Sequence, residues 1–310
     1  MARPIVLGVV GDSAAGKTTI TRGLVRVLGD DNVTHVCTDD YHRYDRKQRA
    51  ERNITPLHPD CNYMDVMAQH LRHLRNGDRF LKPVYQHTNG TFGPLTLVEP
   101  SRFAVVEGLL GYYTEDLRSI YDVRVYLSPP EELRRKWKVS RDCSRRGYTT
   151  DQVLSELDRR EPDSAAFIRP QERYADICVS FLPNSRNDQD HLDADLVLRP
   201  SLRHPDLSSV IDGGGIRLEE RDGDLHLYVP GNLDPERGAE IENAIWENLH
   251  FASHLRTERL GEFTIGTELH RSESLALVQM LLLYHLFTAT ASVALGGSGT
   301  RVATPETVPG

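Results

Sequence analysis

The chain has 310 residues, 39% apolar and 26% charged, with a net charge of −8 and a pI near 5.9. That profile fits one large α/β domain or two smaller ones, and its acidic balance argues against a general nucleic-acid binder, which would carry a basic surplus. Cys37, Cys61, Cys143 and Cys178 lack C-x-x-C spacing, which argues against a disulfide framework or zinc site, and no charged-then-apolar leader precedes the first strand, so a reducing cytoplasm is expected.

Ile5 to Val10 is a short β-branched run that predicts a strand. It leads into Gly11-Asp12-Ser13-Ala14-Ala15-Gly16-Lys17-Thr18, which fits G-x-x-x-x-G-K-[ST] at every fixed position and is followed by Thr19. A helix follows, with Ile20, Leu24, Val27 and Leu28 on one face. Strand, glycine loop and helix in this order make a phosphate-binding loop. Its backbone N–H groups curl around an anion, and the helix N-terminus adds partial positive charge. Lys17 supplies a cation for the outer phosphates and Thr18 a hydroxyl for Mg²⁺. A nucleoside triphosphate is the expected ligand.

A Gly-Asp-Asp-Asn turn at 29 to 32 precedes a strand at Val33 to Cys37, which ends in Thr38-Asp39-Asp40-Tyr41-His42-Arg43-Tyr44. In an open α/β sheet, an acid at the carboxyl end of a neighbouring strand faces the same crevice as the phosphate loop. A kinase acting on an alcohol needs such a carboxylate to accept the hydroxyl proton, which makes Asp39 the candidate base. The bland alternative is a solvated Asp-Asp turn. A polar loop carrying Arg46, Arg49 and Arg52 is expected to about Pro59. Helical periodicity resumes at Met64, through Met67, Leu71 and Leu74, and stops at Asn76-Gly77.

Lys82 to His87 reads as an extended segment, followed by a loop of Thr, Asn, Gly and Pro. His42, Tyr85 and His87 are candidates to orient a polyol. Phe103 to Val106 is a strongly apolar strand ending in Glu107, where phosphate-loop enzymes place an acid near Mg²⁺. Val123 to Leu127 is another strand. Ser128 and Glu131 have capping-box spacing ahead of a helix to about Arg145. On that helix Lys138, Arg141, Asp142 and Arg145 share one face, with Arg146 beside them. In an acidic protein this cationic face suits a lid over phosphates. Trp137 and Trp246 read as packing residues, and Cys37 as inert.

A helix at Thr150 to Arg160 and a strand at Ile177 to Phe181 complete an expected kinase core over 1–183. Residues 184–215 read as a linker or surface loop, 216–290 as an α+β extension, and 291–310 as a disordered tail. Within the extension, Asp222-Gly223 marks a hairpin between Ile216–Glu220 and Leu225–Val229. Helices are expected at Pro235 to His250 and from about Glu268 to Thr288. Ser274 to Leu295 is apolar enough to suggest a membrane span, but a buried helix or subunit interface is the better reading.

Several segments resemble the phosphoribulokinases: Thr38 to Arg46, Pro56 to Pro59 with Asn62 to Met67, Lys82 to His87 with Gly90, Val106 to Leu109, Trp137 to Asp142 with Arg146-Gly147, and Pro170-Gln171 to Asp176. Uridine kinases share the phosphate loop and acidic loop and are less similar elsewhere. The resemblance covers about residues 4 to 183. It implies a P-loop kinase fold with a mostly parallel sheet flanked by helices. It also implies ATP-dependent phosphorylation of the 1-hydroxyl of ribulose 5-phosphate with Mg²⁺, as in the Calvin cycle, by a cytoplasmic homo-oligomer. Asp39 matches the catalytic base and Glu107 the metal-associated acid. His42, Arg46, Lys138, Arg141 and Arg146 match residues associated with sugar or nucleotide phosphates, and Asp142 an acid of the same helix. In plant-type relatives a cysteine stands where this chain has Ala15, and its redox partner matches Cys37. With one thiol missing, that switch is not expected here. A nucleoside kinase and an idle ATP-binding regulatory module are the alternatives.

Overall fold

A computed structural model describes residues 3–184, 191–208, 214–247, 260–265 and 268–301, without the side chains of Arg145 and Ile265. The order of elements in the first half is β1 (Ile5–Gly11), α1 (Lys17–Leu28), β2 (Val33–Cys37), α2 (Arg46–Glu51), α3 (Met64–Asn76), β3 (Phe80–Gln86), β4 (Thr91–Val98) and β5 (Phe103–Gly108). Then come α4 (Glu115–Arg118), β6 (Val123–Leu127), α5 (Glu131–Arg146), α6 (Thr150–Asp163), β7 (Ile177–Leu182) and β8 (Asp193–Leu198). The last elements are β9 (Arg217–Arg221), β10 (Asp224–Val229), α7 (Pro235–Glu247), β11 (Glu262–Ile265), β12 (Glu268–Arg271) and α8 (Glu273–Ala294).

Eight strands form one sheet in the order β2-β5-β1-β6-β7-β8-β10-β9. The first five run parallel, and β8, β10 and β9 continue the sheet antiparallel. β1 is central and every residue of it is buried, as expected for a parallel strand covered on both faces. Strand alternation sends Ile5, Leu7 and Val9 into a core shared with Ile20, Leu24 and α8. Val6 and Val10 point the other way, toward Met67, Leu71 and Leu74 of α3.

α8 is long and apolar enough to cross a membrane by length and composition, but most of it is buried inside the protein. It is apolar around nearly its whole circumference because it packs against α1, α7, β1 and β8. Its buried polar side chains have partners: Ser274 donates to Leu192 O at 2.6 Å, and the Gln279 amide bridges α1 and Gly261.

Several elements differ from the sequence expectation. The loop expected after His87 is instead strand β4, paired antiparallel with β3 in a separate ribbon. Gly93 and Pro94 hid it, and they are tolerated because the register shifts beside them and β4 has no second neighbour in that sheet. The polar loop after Tyr44 contains α2, opened by an Asp45–Gln48 capping box. α5 has Pro130 at its N-cap and no side-chain cap, so the Ser128–Glu131 box does not form. Residues 184–215, expected as a linker, contain β8, which is hydrogen-bonded along β7 and ties the second half into the same sheet. Glu268–Arg271 is a strand rather than the start of the last helix. α8 continues to Ala294 and Arg301 bridges to Leu202, so 291–301 is ordered structure where a tail was expected. Residues 302–310, and the end of the helix expected to reach His250, lie outside the described residues. The Asp222-Gly223 hairpin forms as expected, with both turn residues at positive φ.

Candidate active site

β1 delivers the chain to Gly11 at the carboxyl edge of the sheet. The loop then curls through two left-handed residues, Ala14 at φ 67° and Gly16 at φ 94°. Nothing stands within 4 Å of a Cβ placed on Gly16, so backbone conformation and not space requires glycine there. Lys17 Nζ donates to the carbonyls of Gly11 (2.7 Å) and Asp12 (2.8 Å). Burial lowers its pKa, opposed by the charges of Asp39, Glu107 and Asp12. Ser13 to Thr19 line one side of a cavity of about 1380 Å³. Gly11 and Asp12, expected with them, support the loop without lining the cavity. The Asp12 carboxylate instead accepts a hydrogen bond from Ser164 at 2.5 Å. Arg134, held by Glu131, donates to Ser13 O at 3.0 Å.

β5 carries Glu107 to the same edge. Its carboxylate accepts from Thr18 at 3.3 Å and Thr21 at 3.1 Å, and lies 3.4 Å from His35 Nε2. Burial alone would raise the Glu107 pKa. The His35 contact, Lys17 and Thr21 together outweigh it and hold the group below the ordinary carboxylate range. The Thr18 hydroxyl and Glu107 carboxylate are adjacent hard oxygens, a donor set that fits Mg²⁺ bound mainly through phosphates and water. Gly108 lets this strand end pass Thr38: a Cβ there would meet the Thr38 hydroxyl at 1.7 Å.

The two adjacent aspartates after β2 have separate fates. Asp40 accepts from the Tyr85 N–H at 2.8 Å and pairs with Lys82, fastening the β3–β4 ribbon to the sheet. Asp39 lines the cavity, with His87 Nε2 at 3.7 Å. Burial would raise its pKa, but His42, His87, Lys17 and Arg160 more than offset that and keep it ionised. Asn62 Nδ2 donates to Pro56 O and His58 O, so Asn62 Oδ1 accepts from His42 Nδ1 at 2.7 Å. That fixes Nδ1 as a protonated ring nitrogen, and burial lowers the His42 pKa, opposed by the charge of Asp39. Tyr85 is buried edge-on against His42 and His87, and its hydroxyl accepts from Arg49 at 2.5 Å. Arg46 donates to His87 O at 2.6 Å.

The α5 face closes another wall. Asp142 is buried and accepts from Lys138 (2.6 Å) and Arg141 (2.8 Å), with Arg146 at 3.4 Å. Burial lowers the Lys138 pKa to about 8, helped by the charges of Arg141 and Arg160. Asp142 is thus the anion that lets three cations converge. Of the expected substrate residues, His42, Arg46, Tyr85, His87, Lys138, Arg141, Asp142 and Arg146 all line the one cavity.

Sequence reasoning missed His35, Arg134, Ser164 and the Glu156–Arg160 pair of α6, whose Arg160 also lines the cavity. The i,i+4 spacing of Glu156 and Arg160 was the one available signal. Cys37 lines the cavity too, but burial and the charges of Asp39 and Glu107 push its thiol pKa well up, which keeps it protonated. Trp137 lines the cavity besides packing on the core.

The family model described as Phosphoribulokinase / Uridine kinase family matches residues 6–187. The chain belongs to this family. It is similar to a phosphoribulokinase of Synechocystis sp., 39% identical over 181 residues, covering 58% of this chain and 54% of the relative. It is also similar to a uridine kinase of Brevibacillus brevis, 31% identical over 183 residues, covering 58% and 86% respectively. The chain spans about half the length of the curated phosphoribulokinases it matches. Among solved structures, the phosphoribulokinase from Rhodobacter spheroides has a TM-score of 0.59 at 20% identity, covering 81% of this chain and 99% of that one, which is a likeness of fold.

Proposed function

We propose that this chain transfers the γ-phosphoryl group of ATP to the 1-hydroxyl of ribulose 5-phosphate. One observation carries the reading: a single cavity joins a phosphate loop to an ionised Asp39 and a ring of cations that includes Arg46, Arg49, Lys138, Arg141, Arg146 and Arg160. An acceptor that is already phosphorylated accounts for this surplus of positive charge, whereas an uncharged nucleoside does not. The higher identity to the Synechocystis phosphoribulokinase than to the Brevibacillus brevis uridine kinase supports the same choice.

In this mechanism the loop N–H groups, Lys17 and the N-terminus of α1 hold the triphosphate. Asp39 accepts the proton of the acceptor hydroxyl as its oxygen forms the bond to the γ-phosphorus, and the bond to the β-phosphate oxygen breaks to release ADP. His42 and His87 orient the hydroxyl beside Asp39. Arg141, Arg146 and Lys138, gathered by Asp142, neutralise the transferring charge and the acceptor phosphate. Thr18 and Glu107 would hold Mg²⁺, which would supply positive charge to the phosphates. A cytoplasmic homo-oligomer is part of the same proposal.

A coupled ADP-release assay over ribulose 5-phosphate, ribose 5-phosphate and uridine tests it. Saturable turnover with ribulose 5-phosphate is expected. Turnover with uridine alone would make the chain a nucleoside kinase, and ATP binding with no turnover on any acceptor would make it a regulatory module.

A further inference from the structure

The cavity does not stop at the phosphate loop. Beyond Thr19 it continues along α1, where its lining mixes aromatic and aliphatic side chains with the Arg26–Glu262 ion pair and Ser272. Arg22 flanks it on α1, Trp137 and Phe181 lie on the kinase core, and Leu192, Phe263 and Thr264 come from the chain after residue 187. The phosphate loop and Asp39 fix which way a bound triphosphate must run. With the γ-phosphate toward Asp39, the nucleoside extends away from Asp39 along the cavity. Aromatic and aliphatic side chains with a few polar groups beside them suit a nucleobase.

The outer wall is held in register with the phosphates. Arg26 of α1 binds the Glu262 carboxylate at 3.0 Å. Gln279 of α8 accepts from Gly261 N–H at 2.8 Å, and its amide nitrogen donates to Thr19 O (3.3 Å) and Ile20 O (3.4 Å) in the first turn of α1. Ser272 N–H in turn donates to Gly261 O at 3.0 Å. One side chain therefore locks the start of β11 to the helix whose N-terminus holds the phosphates.

We propose that Phe263 and Thr264 of β11, with Leu192, form the outer wall of the nucleobase subsite, so that a segment outside the matched family region selects the base of the triphosphate. The inference rests on the kinase reading and extends it to specificity.

The test is calorimetric binding of ATP and of inorganic tripolyphosphate to the full chain and to its Phe263→Ala and Thr264→Trp variants. Tripolyphosphate engages the loop alone, whereas ATP also places a base. Loss of the aromatic wall, or filling of the slot, should weaken ATP by roughly tenfold and leave tripolyphosphate within about twofold. Unchanged ATP affinity in both variants would overturn the inference, as would equal losses for the two ligands. Wild-type protein that binds neither ligand would remove the phosphate-loop reading itself, and this inference with it.

Discussion

Replacing Asp39 by Asn removes the proposed proton acceptor while keeping the shape of the side chain. The carboxylate sits among His42, His87, Lys17 and Arg160, which hold its pKa below the ordinary range, so in the wild type it is fully ionised at neutral pH. A positioned base of this kind contributes about 10²- to 10⁴-fold, so kcat should fall by roughly three orders of magnitude. Nucleotide affinity should not fall with it, because the neutral amide leaves Lys17 and Arg160 with one negative neighbour fewer to satisfy. Because its pKa is held below the ordinary carboxylate range, Asp39 should impose no acid limb of its own on the wild-type kcat profile near neutral pH. Steady-state ADP release and calorimetric ATP binding, run on the same preparation, separate the two effects. Turnover of the variant within about tenfold of wild type would refute the assignment of Asp39 as the base.

Asp142→Ala should be strongly destabilising, by about 3–5 kcal/mol in urea unfolding, because it strands the buried Lys138 ammonium without its anion. Glu242 gives a pH signature of opposite sign to the usual carboxylate. Burial lifts its pKa from 4.5 to about 7, with Arg271 opposing and Glu273 adding to the rise. The folded chain therefore binds a proton in that window that the unfolded chain does not, and stability falls as pH rises from 4.5 to about 7. Glu242→Gln stays neutral and should flatten this slope, gaining at most roughly 3 kcal/mol over wild type at about pH 8, read from thermal melts at both ends of the window. Gly23→Ala should cost about 1–3 kcal/mol in the same melts, since its Cβ would fall 2.0 Å from the Gln279 amide that joins α1 to α8.

Much of the nucleotide side was legible in the chain because it is local. The phosphate loop is a contiguous motif, and β1, α1 and β2 carry it with periodicities that need no distant partner to read. The boundaries of β2 and β6 came out as expected, and α3 ends at Gly77 in the left-handed conformation that its sequence called for. The acceptor side is different. Asp39 and Asp40 are chemically identical neighbours, and only the position of Lys82 and the Tyr85 N–H, supplied by the β3–β4 ribbon, commits Asp40 to structure and leaves Asp39 to the cavity. Likewise, Ser164 and Arg134 carry no motif, yet they brace the loop at Asp12 and Ser13 from far along the chain.

A phosphate-binding loop, an acid beside it and a surplus of arginines were thus already written in the order of residues. Each of these depends on residue type and short spacing. It took the folded chain to establish that the second half continues the first sheet through β8, that the Leu-rich helix is a core element, and that Phe263 and Thr264 of β11 line the same cavity as the phosphate loop. Strand pairing and burial are contacts between distant residues, and no local periodicity specifies which distant partner a strand or an apolar helix will find.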